Sequence, residues 1–475
     1  MHRLTRLSRL ATAAALGSAL AVPPIASAQQ TPPAPPGAAT PAPAATPAPA
    51  ATPAADPPAR AGRVARITGT VSFHGPGADH WDPAQLNFPV SSGDAIWTEP
   101  QAAAAVDVSA NRIILAGSTE LDVDTLDAQA LGATQPQGEA FLRLRHLAPN
   151  ETYTIRTPRG TVTITEAGRY EIAAGDTQTP TLVTVVEGAA LVTADNLNLP
   201  IQRGQTATIT GGDTFQGAVG PQQADAFLTA MLQEQAPAAP VAQTTPPPPA
   251  VAAMPGADDL NANGTWQATP QYGTVWYPQV DAAWVPYRHG HWGYVAPWGW
   301  TWIDDAPWGF APFHYGRWVE IDDRWAWSPV YAAPADAEPV VYAEPVYAPA
   351  LVSFVGLGVG VGIGVGIGLG ASVGWFPLGF GEPFHPWYGG SPGYLQNVNR
   401  GYVSGATFTN ISSTTTINNT FANRNAATVV PGSVMAGSRP VAAAAARLTP
   451  EQVAALHPTA TPPVRPTAAT ARGTP

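Results

Sequence analysis

Between about Arg63 and Gly217 the chain alternates apolar and polar positions. Arg63-Val64-Ala65-Arg66-Ile67, Thr152-Tyr153-Thr154-Ile155-Arg156 and Thr161-Val162-Thr163-Ile164-Thr165 put every second side chain on one face, the period of a half-buried strand. Turn formers separate such runs: Gly75-Pro76-Gly77, Ser92-Gly93-Asp94, Pro158-Arg159-Gly160, Glu187-Gly188 and Arg203-Gly204. Short strands at this spacing predict an all-β sandwich, barrel or roll over residues 63–217. Two helices interrupt the pattern. Phe227, Leu228, Met231 and Leu232 share one side of a short helix over Ala224–Glu234. Thr449-Pro450-Glu451-Gln452 supplies an N-cap, a first-turn proline and a capping-box glutamine for a late one.

A second pattern occupies residues 258–331, which hold 11 of the 15 tryptophans. Gly264-Thr265-Trp266, Gly290-His291-Trp292 and Gly316-Arg317-Trp318 recur at a spacing of 26. A fixed period of this length marks repeated supersecondary units that bury their faces against one another. Trp300 with Trp302, and Trp325 with Trp327, are two apart and share a strand face. Residues 332–400 read as a Gly/Pro-rich β segment. Within it Leu351 to Gly370 is apolar and uncharged, long enough for a membrane helix. The strict alternation of Val359-Gly360-Val361-Gly362-Ile363-Gly364 favours a strand or hairpin, with membrane insertion as the alternative.

Low complexity separates these regions. Residues 29–62 are almost wholly Ala, Pro and Thr, and residues 218–257 pass from the short helix into a stretch with Pro246 to Pro249. Such segments bury nothing and read as disordered linkers. Residues 401–475 read as an Asn/Thr-rich, disordered tail. The fold class is mainly β: one β domain and one Trp-rich β-repeat module, with disordered Ala/Pro-rich linkers and tail.

Residues 1–28 have the form of a secretory leader. Arg3, Arg6 and Arg9 precede the apolar stretch Ala11 to Val22, and Ala26-Ser27-Ala28 offers a cleavage site. Twelve apolar residues are too few to span the roughly 30 Å of hydrocarbon in a bilayer, so no transmembrane anchor is expected after cleavage near Ala28, and the protein is expected to be periplasmic or secreted. The absence of cysteine removes disulfides, thiolate metal sites and a lipidated N-terminal cysteine. All basic residues are arginine, which with the Ala and Pro content suggests a GC-rich bacterial genome. The net charge of −11 becomes more negative once the leader's arginines are gone, which disfavours nucleic acid and anionic lipid as partners.

Gly69-Thr70-Val71, Val90-Ser91-Ser92-Gly93-Asp94-Ala95-Ile96-Trp97-Thr98, Thr157-Pro158-Arg159-Gly160-Thr161-Val162, Val185-Val186-Glu187-Gly188-Ala189-Ala190-Leu191-Val192 and Arg203-Gly204-Gln205 occur in that order. With these motifs, residues 63–211 resemble the periplasmic FecR domain. FecR proteins relay an outer-membrane signal to a cytoplasmic sigma factor, through a cytoplasmic segment and a membrane helix. This chain has a leader in that place, so the resemblance implies the fold and not the anti-sigma role. The family's Gly-Thr-x-Phe is also missing; Glu166-Ala167-Gly168-Arg169-Tyr170 stands near its place. Pro297-Trp298-Gly299-Trp300-Thr301-Trp302, Trp308-Gly309-Phe310-Ala311-Pro312, His314-Tyr315-Gly316-Arg317-Trp318 and Gly374-Trp375-Phe376-Pro377-Leu378-Gly379 resemble an uncharacterised group of exported proteobacterial proteins, in which a FecR-like domain precedes a Trp-Tyr-Pro-rich region. That group implies no activity.

The tryptophans are the leading binding candidates: Trp298, Trp300, Trp302, Trp308, Trp325 and Trp327. An exposed indole row would stack on the C–H faces of glycan, with Asp304 and Asp305, and further along Asp322 and Asp323, holding hydroxyls. The competing reading makes the indoles core material, each burying on the order of 200 Å². Trp298 and Trp308, beside turn formers, are then the rings chosen as exposed. His289, His291 and His314 are weak candidates for a metal, with no acidic or thiolate ligand at fitting spacing. The Asp304-Asp305 and Asp322-Asp323 pairs resemble a hydrolase carboxylate pair only in composition, because adjacent acids at Gly/Pro-rich turns are ordinarily solvated. No cofactor motif appears. The expected function is therefore non-catalytic: a cell-envelope binding or scaffold module for a protein partner or cell-wall glycan. The alternatives are a FecR-derived sensory component and, at lowest weight, a glycan-active hydrolase.

Overall fold

The computed structural model describes residues 56–234, 245–330, 345–357, 372–403, 421–467 and 470. The leader, most of the first linker and the alternating Val359–Gly368 run lie outside the described residues. The architecture is mainly β. Two nine-stranded sheets come first. One runs from edge to edge as Gln216–Pro221, Gln205–Thr210, Thr181–Glu187, Gly168–Ala173, Glu139–Leu144, Asn111–Leu115, Ala103–Val108, Gly62–Thr68 and Pro89–Val90. The other runs as Leu197–Gln202, Ala189–Ala194, Gly160–Ile164, Thr152–Thr157, Ala130–Gln137, Glu120–Leu126, Ala95–Thr98, Val71–His74 and Asp82–Pro83. For most of its length the chain lays one or two strands in one sheet and then crosses to the other, so both sheets grow together as a roll. All pairings are antiparallel except that of Thr152–Thr157 with Ala130–Gln137.

The alternation dictates this arrangement. Tyr153 and Ile155, and Val162 and Ile164, point inward with Val106, Ile113, Leu142, Ile172 and Val183 of the first sheet, in a single core. The intervening threonines are half-buried on the outer side. The turns require their glycines. Gly188 has φ +88°, and a Cβ there would collide with the Tyr170 hydroxyl. The helix Ala226–Glu234 forms as its apolar side requires: Leu228 and Met231 cover Ala105, Ile114 and Phe141 on the first sheet's outer face.

The tryptophan block folds into three successive hairpins: Gly264–Thr269 with Gly273–Pro278, Gly290–Val295 with Gly299–Asp304, and Arg317–Ile321 with Arg324–Ser328. The 26-residue period is thus one hairpin per repeat. The first and third join in a four-stranded sheet through Trp276 and Trp327.

The tail departs from the sequence reading. A helix, Pro392–Asn399, follows Gly390, and residues 421–467 are folded where disorder was expected. Thr428–Pro431 and Leu456–Pro458 complete a four-stranded sheet with Val352–Leu357 and Ser372–Pro377. The reason is a sparse set of apolar anchors. Val430, Val434, Met435 and Val441 are buried, while Val441 N–H donates to Gly290 O (2.9 Å) and Ser438 Oγ to Trp292 O (2.7 Å). The Thr449 capping box forms as its spacing demands, opening the helix Pro450–Ala454. The Pro-rich stretch also contributes: Val251 and Met254 are buried beside a short 3-10 turn, Pro249–Ala253.

Candidate functional site

Each hairpin is built around one rule. The glycine of the Gly-x-Trp motif lies against the tryptophan of the returning strand, so a Cβ on Gly264, Gly290 or Gly316 would strike Trp276, Trp302 or Trp327. The motif tryptophan stands directly opposite that same ring: Trp266 faces Trp276, Trp292 faces Trp302 and Trp318 faces Trp327. Cross-strand aromatic pairs stabilise a sheet beyond their area alone. The pairs then fuse into one web, with Trp292 centred 5.6 Å from Trp302 and 5.2 Å from Trp375, and Trp308 5.0 Å from Trp276 and 5.7 Å from Trp284. Indole N–H groups of Trp266, Trp276, Trp302 and Trp327 donate to Asn261, Leu260 O, Asp304 and Tyr315 O.

The tryptophans proposed as a binding row are therefore core. Trp298 is 0% exposed and Trp308 4%, which corrects their choice as the exposed rings. Turn residues beside them do not hold them out, because Tyr347 closes over Trp298 (4.7 Å) and Phe313 stacks on Trp308 (5.9 Å). Trp300, Trp302 and Trp327 are likewise buried, and Trp325 is half-buried against the same core.

Neither acid pair forms a carboxylate dyad. Asp304 is buried, accepts from Trp302 Nε1 and Ala306 N (both 3.0 Å), and is held well above the usual carboxylate range by burial. It is a structural acid. Asp305 is exposed. Asp322 and Asp323 are the two central residues of the third hairpin's turn, with φ +50° and +59°, the conformation that two-residue hairpin turns need and that Asp tolerates. Among the described residues no group of three metal-capable side chains forms. His314 is buried, its Nδ1 lies 2.8 Å from Ala348 O, and burial lowers its pKa to about 3, so the ring is neutral and Nδ1–H donates. His291 is buried and His289 exposed.

The two modules meet through a buried polar joint. Arg63 Nε donates to Asp107 (3.1 Å), and Arg63 Nη1 to Asn87 Oδ1 (3.0 Å) and Pro307 O (3.2 Å); Arg63 also pairs with Asp259. Asn87 Nδ2 donates to Asp304 O (2.9 Å) and Ala306 O (2.7 Å). Residues of the roll thus satisfy backbone carbonyls of the second hairpin's exit.

Two clefts flank this joint. One, of about 630 Å³, is lined by Arg145, His146, Pro247, Pro249, Asp258 and Trp266 among others. Its charges neutralise each other: Asp258 accepts from Arg143 (2.8 Å) and Arg145 (2.5 Å). The other, of about 400 Å³, is walled by Phe73, Phe88 and Val295, with Asp79, His80, Asp82, Asp94 and Tyr294 presenting polar groups. Ligand pockets are commonly of this size and make-up. Tyr294 is 38% exposed, and Trp81, between His80 and Asp82, is 42% exposed; they are the large aromatics left open among the described residues. Trp81 rests on His74 at 5.2 Å and Tyr294 on the edge of Trp300 at 5.5 Å. Asp94 is only 3% exposed. Its Oδ2 accepts from Ser91 N (2.6 Å) and Ser91 Oγ (3.1 Å). Burial raises its pKa to about 7 against those two hydrogen bonds.

The sequence reading passed over this cleft. In the sequence Asp94 figures as a turn residue and as part of the FecR-like motif Val90 to Thr98, and Trp81 stands outside the repeats. The available signal was Asp79-His80-Trp81-Asp82, one indole set among three titratable groups.

Fold and cleft together define a β-rich protein in which an aliphatic roll is joined to a tryptophan-hairpin module. Residues 257–382, which include the hairpins, match the model of a family of unknown function, DUF6600. No curated protein matches the chain. Two crystal structures of a candidate anti-sigma factor from Parabacteroides distasonis ATCC 8503, at 1.65 and 2.50 Å resolution, are similar at 15% and 13% identity and a TM-score of 0.26. The matches cover 29% and 30% of this chain and 64% of the other in each case. A score of that size does not establish a common fold. Among the described residues no helix is long and apolar enough to cross a membrane.

Proposed function

We propose that this chain is a non-catalytic binding module of the bacterial cell envelope, which holds a partner at the cleft between its two modules. The observation that carries the reading is the placing of the open aromatics. The hairpin indoles are consumed by the core, whereas Tyr294 of the hairpin module lines the cleft and stays open, and Trp81 of the roll stays open between His80 and Asp82, two residues of the same lining. The Arg63–Asn87–Asp304 joint supports it by fixing both walls before any partner arrives, and preorganised walls cost less entropy on binding. The envelope location is supported by the leader pattern of residues 1–28, and the roll's kinship to FecR domains by the ordered turn motifs of residues 63–211.

The test is capture of envelope components by the purified chain carrying Trp81→Ala or Tyr294→Ala. Each substitution is expected to reduce capture at least tenfold while the thermal midpoint stays within a few degrees of the parent. Undiminished capture by the double variant would place the binding face elsewhere.

A further inference from the structure

Resting on that reading of the cleft, we infer that it receives a cation: the lysine or arginine side chain of a protein partner. The argument starts from the inventory of donors and acceptors. Asp79, Asp82 and Asp94 line the cleft and no Lys or Arg does. His80 is the one basic group of the lining, and it is already engaged, with Nδ1 2.5 Å from Asp79 Oδ1 and Nε2 3.2 Å from Asp82 Oδ2. An incoming group therefore meets acceptors. An ammonium or guanidinium, which only donates, matches such a wall; a neutral sugar hydroxyl, which also seeks donors, matches it less well.

Asp94 adds an observation independent of that acidity. Its carboxylate is nine-tenths or more enclosed, yet only Oδ2 is held, by Ser91. Oδ1 has no protein partner among the described residues, and Asp94 lines the cavity. A half-satisfied carboxylate at the base of a pocket is costly unless a ligand completes it. A bound cation would supply the missing hydrogen bond and favour the ionised form, in a charge-assisted contact stronger than a neutral one. The walls suit the rest of such a side chain. Phe73, Phe88 and Val295 can cover the methylene stem, and the open ring of Tyr294 offers cation–π contact. The chain's net charge of −11 would draw a basic partner towards it.

The experiment follows the Trp81 indole N–H by NMR in the full chain, titrated with three probes: acetyl-Gly-Lys-Gly-amide, acetyl-Gly-Gln-Gly-amide and the neutral trimer of N-acetylglucosamine. The lysine peptide is expected to shift the resonance saturably and to bind at least tenfold tighter than the other two. Asp94→Asn is expected to weaken it at least tenfold. Should that variant fail to fold, Asp79→Asn with Asp82→Asn, both at the cleft mouth, is expected to weaken it several-fold. Equal affinity for the lysine and glutamine peptides, or affinity unchanged by these substitutions, overturns the inference. Saturation by the trimer alone overturns the cation while leaving a binding cleft intact. No shift from any probe, together with undiminished envelope capture by Trp81→Ala/Tyr294→Ala, overturns both readings.

Discussion

The roll and the hairpin module solve the same burial problem with different materials. In the roll, dozens of Val, Ile, Leu and Ala side chains each bury little, and the two sheets share the load over their whole length. In the hairpin module few aliphatic residues are available, and a handful of indoles and phenyl rings fill the interior by edge contacts 5–6 Å apart. Aliphatic cores tolerate volume-conserving exchange. A core of interlocked rings depends on each ring and on the absence of any atom that would displace it. The difference explains why glycine precedes each motif tryptophan, and why the module cannot spare those rings for a ligand.

Single substitutions separate the two designs. Trp302→Ala removes a fully buried ring that contacts Trp292, Tyr287, Phe313 and Trp375. It is expected to lower stability by about 3–5 kcal/mol in urea unfolding, against about 0.5–1.5 kcal/mol for Ile164→Val in the roll. Similar costs would remove the contrast. Gly290→Ala adds one methyl, which meets Ile303 O and the Trp302 ring, and is expected to cost roughly 1–3 kcal/mol by overpacking. A neutral result would show that the hairpin can spread. A further contrast concerns charge in the roll. Burial first, then Asp225 and Glu139, raise the Glu171 pKa to about 8. Because the folded state holds that proton more tightly, its stabilising contribution is complete below about pH 4.5 and is lost as the pH rises towards 8. Glu171→Gln is therefore expected to flatten the fall in melting temperature between pH 5 and pH 8. An unaltered slope would mean that Glu171 ionises freely in the native protein.

Legibility followed the same division. In the roll the alternation of Thr152–Arg156 and Thr161–Thr165 specified both the strands and their buried faces, since one side of a strand must be apolar. The turn at Glu187-Gly188 was legible because φ +88° needs glycine. In the hairpin module the repeat was legible, but the fate of each ring was not. Tryptophan serves core and binding surface equally well, and only the tertiary neighbours, Tyr347 for Trp298 and Phe313 for Trp308, decide. The tail misled for a related reason. Its anchors Val430, Val434 and Val441 are scattered among Ala, Gly and Ser, and they become meaningful only beside Gly290 and Trp292, far earlier in the chain. The cleft was hardest to see, because Asp94 comes from the turn before one strand, Trp81 from a loop, and Tyr294 from a different module.

The central claim is that the hairpin tryptophans are core and that the open aromatic face lies at the cleft. Iodide quenching of tryptophan fluorescence tests it most directly. Trp81→Phe is expected to remove the largest part of the quenchable emission, while Trp298→Phe and Trp308→Phe leave it unchanged. Quenching that survives Trp81→Phe and falls in Trp298→Phe or Trp308→Phe would contradict the account.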